Sequence, residues 1–153
     1  MTPTRRLDPD QGLIVVSCSR RKLVTTTPVP ALQLYRGALM PRLRGHLAPE
    51  HRARVRILSA EHGVLHPDDL VGTYERKLRT RGEAQALQAR VSERLTTDLR
   101  AEALRHVLVV LEPLYLAAAT CLFDHAPPLT VTLLLNPVDW TGTSAVLSGW
   151  GWL

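Results

Sequence analysis

Two polar stretches hold most of the side chains suited to chemistry. The first, SCSRRK over 17–22, sets the hydroxyls of Ser17 and Ser19 and the thiol of Cys18 beside Arg20, Arg21 and Lys22. Backbone N–H groups of a turn there, with Arg21 or Lys22 for charge, suit an anionic group such as a phosphate. It is no Walker loop, because it has no glycine. A solvated basic loop in which Cys18 plugs the core accounts for the same residues. The second stretch, SAEHGVLHPDD over 59–69, carries Glu61 and His62 next to Gly63, then His66, Asp68 and Asp69. Gly63 permits a positive backbone angle. A carboxylate such as Glu61, held beside a basic loop, serves as general base or nucleophile. The aspartates equally suit a turn and the N-cap of a following helix.

Further along, Tyr74 and Lys77 offer a phenol and an ammonium. Tyr74 would share a helical face with Leu78, and either the core or the mouth of a pocket suits it. NPVDW over 136–140 places Asn136, Asp139 and Trp140 where they suit hydrogen bonding and stacking of a base, or an ordinary turn. Trp150 and Trp152 suit a pocket cover or a contact between two copies of the chain. The chain contains no Ser-His-Asp order and no glycine-rich dinucleotide loop. Cys18 and Cys121 stand too far apart in sequence to resemble a zinc motif, and no metal or other cofactor is expected.

The elements that must position these groups read as alternating strands and helices. Apolar runs over 13–18, 54–59, 106–112 and 129–135 predict four strands, the first and third buried. Residues 31–47 predict one or two helical turns on either side of Pro41, which should end or kink the helix. Leu87, Val91, Leu95 and Leu99 recur every fourth residue and predict a helix over about 82–104. A small-residue helix over 114–123 and a short helix or amphipathic tail over 143–153 complete the pattern. The expected fold is α/β: a mainly parallel sheet of about four strands in a three-layer arrangement with helices on both faces. Ligands in such folds lie beyond the carboxyl ends of the strands. The four strand ends, at 17–22, 59–69, 112–115 and 136–140, all turn polar there.

At 153 residues the chain fits one domain over 1–153, with 1–11 expected to be flexible. Hydrophobic residues make up 45% and charged ones 22%, as in a globular protein rather than a disordered one. No apolar run is long enough to span a membrane, and the two N-terminal arginines precede no apolar segment, so the expected setting is cytoplasmic. The net charge of +5 favours anionic partners weakly.

Three segments, VVSCSRRK (15–22), PALQLYRGALMPRLR (30–44) and ILSAEHGVLHPDDLVGTYERKL (57–78), together resemble a little-characterised bacterial and phage domain family. The last is also similar to a block of the YaaA peroxide-stress family. The resemblance covers roughly the first half of the chain and picks out Cys18, Lys22, Tyr35, Ser59, Gly63, Pro67, Asp69 and Tyr74. Glu61-His62 stands where these families often have Lys-Tyr or Leu-Tyr, and Thr73 where they have Pro.

What the resemblance implies is contact with nucleic acids, nucleotides or their bases. One expectation is a nucleoside- or nucleotide-binding enzyme acting at an N-glycosidic bond. Glu61 would be base or nucleophile and His62 or Asp69 the proton donor. Ser17, Ser19 and Lys22 would hold phosphate or ribose, Tyr74 and Asn136 would orient the base, and Cys18, Tyr35, Ser59 and Gly63 would line the site. The alternative is a nucleic-acid-binding stress protein of the YaaA kind without turnover. Against it, the arginines are spread among acidic neighbours and no aromatic residues interleave them. A third reading is a partner-binding subunit, and a homo-oligomer is compatible with all three.

Overall fold

A computed structural model describes residues 6–101 and 103–153. Its centre is a five-stranded sheet in the order β4-β3-β1-β6-β7. The strands are β1 (Gly12–Ser17), β3 (Val55–Ser59), β4 (Gly63–Leu65), β6 (His106–Val110) and β7 (Thr130–Leu134). β1 runs parallel to both β3 and β6, and β6 parallel to β7, while β4 turns back antiparallel on β3. The mainly parallel α/β sheet is therefore as expected, with one more strand. The extra strand is β4, three residues folded back from the polar stretch after β3. Gly63, at φ +74°, makes that reversal in a conformation that costs an L side chain energy.

β1 and β3 are buried at every position. Alternate side chains of β1 therefore feed two cores. Leu13 and Val15 pack with α4 (Arg81–Ala101), while Ile14 and Val16 pack with α1 (Ala31–Leu34), α2 (Met40–His46) and α6 (Trp140–Gly149). The α4 stripe Leu87, Val91, Leu95 and Leu99 is buried as its period predicts. Thr80 Oγ1 accepts from Glu83 N at 3.1 Å and starts this helix. Arg56, a charged residue inside β3, is buried against Asp98 of α4, Nε to Oδ2 2.9 Å.

Several expectations need correction. Pro41 lies in the first turn of α2 and starts that helix rather than ending one, because an N-terminal helical position lacks an N–H partner in any case. The segment 114–123 is only a short α5 (Pro113–Leu116) and a 3-10 turn (Thr120–Phe123). No helix follows HPDD: Leu70–Val71 forms β5, paired antiparallel with β2 (Val29–Pro30), and residues 72–79 run without helix. Asp69 thus caps a turn, accepting from His66 N at 2.8 Å, and Tyr74 and Leu78 do not share a helical face. The C-terminal helix begins earlier than expected, with Asp139 Oδ1 accepting from Gly142 N at 2.8 Å as its N-cap.

At the amino end of β1, chain segments far apart in sequence meet. Leu7 N donates to Trp150 O (2.8 Å) and Trp152 Nε1 to Leu7 O (2.9 Å). The Trp152 ring stacks on His51 of α3 (Pro49–Arg52), centroids 4.4 Å apart at 8°. Residues 1–5 of the segment expected to be flexible lie outside the described residues; residues 6–11 are held by these contacts. No helix among the described residues is long and apolar enough to cross a membrane.

Candidate functional site

β1 has β3 on one side and β6 on the other, so successive crossovers leave it in opposite directions. Its carboxyl end is the point where the sheet's connections diverge and a crevice is expected. Cys18 sits there, half-buried, directly after Ser17. All three tyrosines of the chain converge around it. The Cys18 thiol donates to Tyr115 Oη at 3.7 Å, and Leu78 N donates to the same oxygen at 3.2 Å. Tyr35 and Tyr74 share a hydrogen bond of 2.5 Å, and Tyr74 shares another, of 2.6 Å, with Ser59 Oγ. Ser59, at the end of β3 and wholly buried, also accepts from the N–H groups of Glu61 and His62 at 3.2 Å each. The Lys22 ammonium lies 4.7 Å from the Tyr74 ring centroid and 5.9 Å from that of Tyr35. His62 meets Tyr74 edge-on, centroids 4.9 Å apart at 87°.

Local structure explains how each group arrives. Tyr35 follows α1 and forms an antiparallel bridge with Lys22. Arg44 Nη1 holds that turn by donating to the carbonyls of Leu32 (2.7 Å) and Tyr35 (2.6 Å). Burial draws the Arg44 pKa down, with Arg36 adding repulsion. Tyr74 is anchored through its neighbour: Thr73 Oγ1 donates to Leu23 O (2.7 Å) and accepts from Thr25 N (3.0 Å). A hydroxyl at position 73, where the resembling families carry Pro, is thus used to tie this strand to the 23–25 loop. Tyr115 comes from α5, the connection beyond β6.

Burial dominates the electrostatics. Desolvation pushes the Tyr35 phenol up to about 12, against weaker lowering by hydrogen bonds from Tyr74 and Ser59. Tyr74 and Tyr115 are raised as well, first by burial and then by the nearby Cys18 sulfur. All three phenols are neutral at physiological pH and act as hydrogen-bonding hydroxyls.

The cluster thus joins Cys18, Lys22, Tyr35, Ser59, His62 and Tyr74 among the residues singled out in the sequence. Glu61 stands at its rim, main chain on Ser59 and carboxylate paired with Arg76, Oε2 to Nη1 3.3 Å, with 40% of its side chain exposed. Gly63 is the buried hairpin residue beside it. Ser17 is buried at the end of β1. Ser19 serves the loop itself, donating to Arg21 O (2.6 Å) and accepting from Gly37 N (3.2 Å). Asp69 pairs with Arg94 of α4 at 2.9 Å, and Asn136 Oδ1 accepts from Val138 N in the turn after β7. Among the described residues, no contact links either of these two to the tyrosine cluster. Tyr115 is the member that sequence reasoning missed. Its signal was its place in EPLY, a polar strand end in a chain with only three tyrosines.

Two grooves of about 510 Å³ flank this region. One, between β4 and α4, is lined by His62, His66, Arg90, Arg94 and Asp98. In it His66 Nε2 lies 3.0 Å from Asp98 Oδ2, and burial together with Arg56 lowers the His66 pKa. The other lies among Pro30, Arg44, Arg52 and Pro67. Among the described residues no group of three or more His, Cys, Asp or Glu is placed to hold a metal ion. No curated protein matches the chain. Residues 13–131, which contain every member of the cluster, match a family described as a family of unknown function (DUF6884), and the chain belongs to that family.

Proposed function

We propose that this protein is a nucleoside- or nucleotide-binding enzyme that acts at an N-glycosidic bond, with its site at the carboxyl end of β1. The observation that carries this reading is the convergence of Cys18, Ser59 and three neutral phenols under the Lys22 ammonium. Neutral hydroxyls fixed by one another suit the edge of a heteroaromatic base, and aromatic rings suit its face. The ammonium suits a ribose hydroxyl or a phosphate.

Glu61 is the base in this reading. Its main chain is fixed two residues beyond Ser59, while its carboxylate, half-exposed on Arg76, reaches water. Glu61 takes a proton from water as the water oxygen bonds to the sugar's anomeric carbon. The bond to the base breaks, its electron pair leaves with the base nitrogen, and His62 supplies the proton that nitrogen takes up.

A thermal-shift screen of nucleobases, nucleosides and nucleoside mono- to triphosphates tests the reading. A ligand at 100 times its dissociation constant stabilises by about 2.7 kcal/mol, several degrees of melting temperature. The expected result is a hit in one chemical class, followed by release of free base that Glu61→Gln abolishes while binding persists. A flat screen overturns the binding reading, and turnover undiminished in Glu61→Gln overturns the role of Glu61.

A further inference from the structure

The two edges of the sheet are treated differently. At β4 the main chain is covered by α4: Arg94 Nη1 donates to Val64 O at 3.2 Å, and Arg90 Nη1 to Glu61 O at 3.3 Å in the adjoining turn. All three β4 residues are buried. At β7, the opposite edge, Thr130 N bonds to Arg105 O and Leu134 O accepts from Leu111 N. In a parallel strand those alternate residues face the neighbour, which leaves the N–H and C=O of Val131 and Leu133 on the open side. No β7 residue is fully buried, and Leu133, Leu135 and Val138 are 38%, 50% and 59% exposed.

Edge strands that remain unpaired are ordinarily guarded by charge, proline or a bulge. From Ala126 to Val138 the sequence holds no Asp, Glu, Lys or Arg, although 22% of the chain is charged, and β7 itself contains no proline. We propose that β7 is an interface on which a second copy of this chain pairs, antiparallel, across a two-fold axis. Self-pairing is favoured by charge. Two molecules of net charge +5 repel wherever their basic surfaces meet, and this uncharged strip lets them approach without that cost. An edge with no charge of its own also offers nothing to select an acidic or basic partner. With the axis at Thr132, Val131 exchanges both main-chain bonds with Leu133 of the second copy, and the contact is self-complementary and closed.

The test is the solution mass of the full chain across concentration, up to roughly 100 µM, well above the micromolar constants that modest interfaces reach. The expected species is a dimer of twice 17.0 kDa. Leu133→Lys, which places charge on the exposed edge, should weaken dimerisation about tenfold or more, a change of roughly 1.4 kcal/mol. Leu135→Lys, at a still more exposed position, is the companion variant in case the first fails to fold. A monomer at every concentration overturns the proposal. So does a dimer that both folded variants preserve, or a series of open oligomers growing beyond two.

Discussion

At the amino end of β1, Gly12 lies so close beneath Trp152 that a Cβ there would come within 2.7 Å of the indole. At the carboxyl end, six residues on, Cys18 faces the hydroxyl of Tyr115 in a cluster with two further phenols. Both ends are lined with aromatic rings, yet the rings do different things. The tryptophans present flat carbon surface: Trp152 stacks on His51, meets Trp150 edge-on at 4.9 Å, and spends its one N–H on Leu7 O. The tyrosines present oxygen. Their hydroxyls bond mainly to one another, to a serine and to a thiol, with Leu78 N the one main-chain donor that they meet. A wall that satisfies itself with main chain is a structural seal. A set of hydroxyls satisfied largely by side chains from three distant segments keeps a polar surface at the point where the sheet's connections diverge.

This contrast can be broken from either side. The largest effect should come from Trp152→Ala, which removes a buried indole and should cost about 3–5 kcal/mol by thermal or denaturant unfolding. The same variant should keep whatever ligand-induced stabilisation the wild type shows. Gly12→Ala attacks the same seal by overpacking, since backbone φ at this position is ordinary and only the Trp152 contact opposes a methyl group; about 1–3 kcal/mol should be lost. Tyr74→Phe should cost about 1–2 kcal/mol, because Ser59 and Tyr35 lose a shared partner, but it should abolish the ligand response. If Trp152→Ala also abolished that response, the two ends would not be independent.

The smallest effect concerns pH. Burial lowers the pKa of His51 from 6.5, with Arg6 adding repulsion and Glu50 opposing both. Its ring Nδ1 is buried without a hydrogen-bond partner. The unfolded chain therefore binds this proton first as pH falls, so the neutral histidine's stability is complete above about 6.5 and is lost below it. His66, lowered in the same direction, adds to the same loss. His51→Phe keeps a ring for Trp152 to stack on and should flatten the fall in melting temperature between pH 7 and 5.5 without erasing it. A slope unchanged by the substitution would assign the acid sensitivity elsewhere.

What could be read from sequence follows from how much each element depends on distant residues. β1, β3 and β6 are continuous apolar runs because both faces are covered, and α4 repeats every fourth residue because one face is. Those signals are local. β4 and β5 are three and two residues long and polar at their borders, so no periodicity announces them, and the extended run to Tyr74 was mistaken for a helix. The site divides in the same way. Cys18, Ser59 and Tyr74 lie in stretches whose polarity after an apolar run drew notice. Tyr115 is 97 residues from the thiol it touches, and only the fold brings them together.

Ser59 gives the hydroxyl chain a direction. A serine oxygen has two lone pairs, and here both meet backbone N–H groups, those of Glu61 and His62. Its own proton is then given to Tyr74, which in turn gives its proton to Tyr35. The hydroxyl proton of Tyr35 is the one left over at the end of the line. The main chain of a tight turn thereby decides that this row of oxygens offers a proton at its far end rather than a lone pair. A ligand group meeting that end must be an acceptor, such as a ring nitrogen or a carbonyl. Threonine at position 59 would preserve that sense; alanine would leave Tyr74 free to turn its proton either way, and the chain would lose its polarity while keeping all its tyrosines.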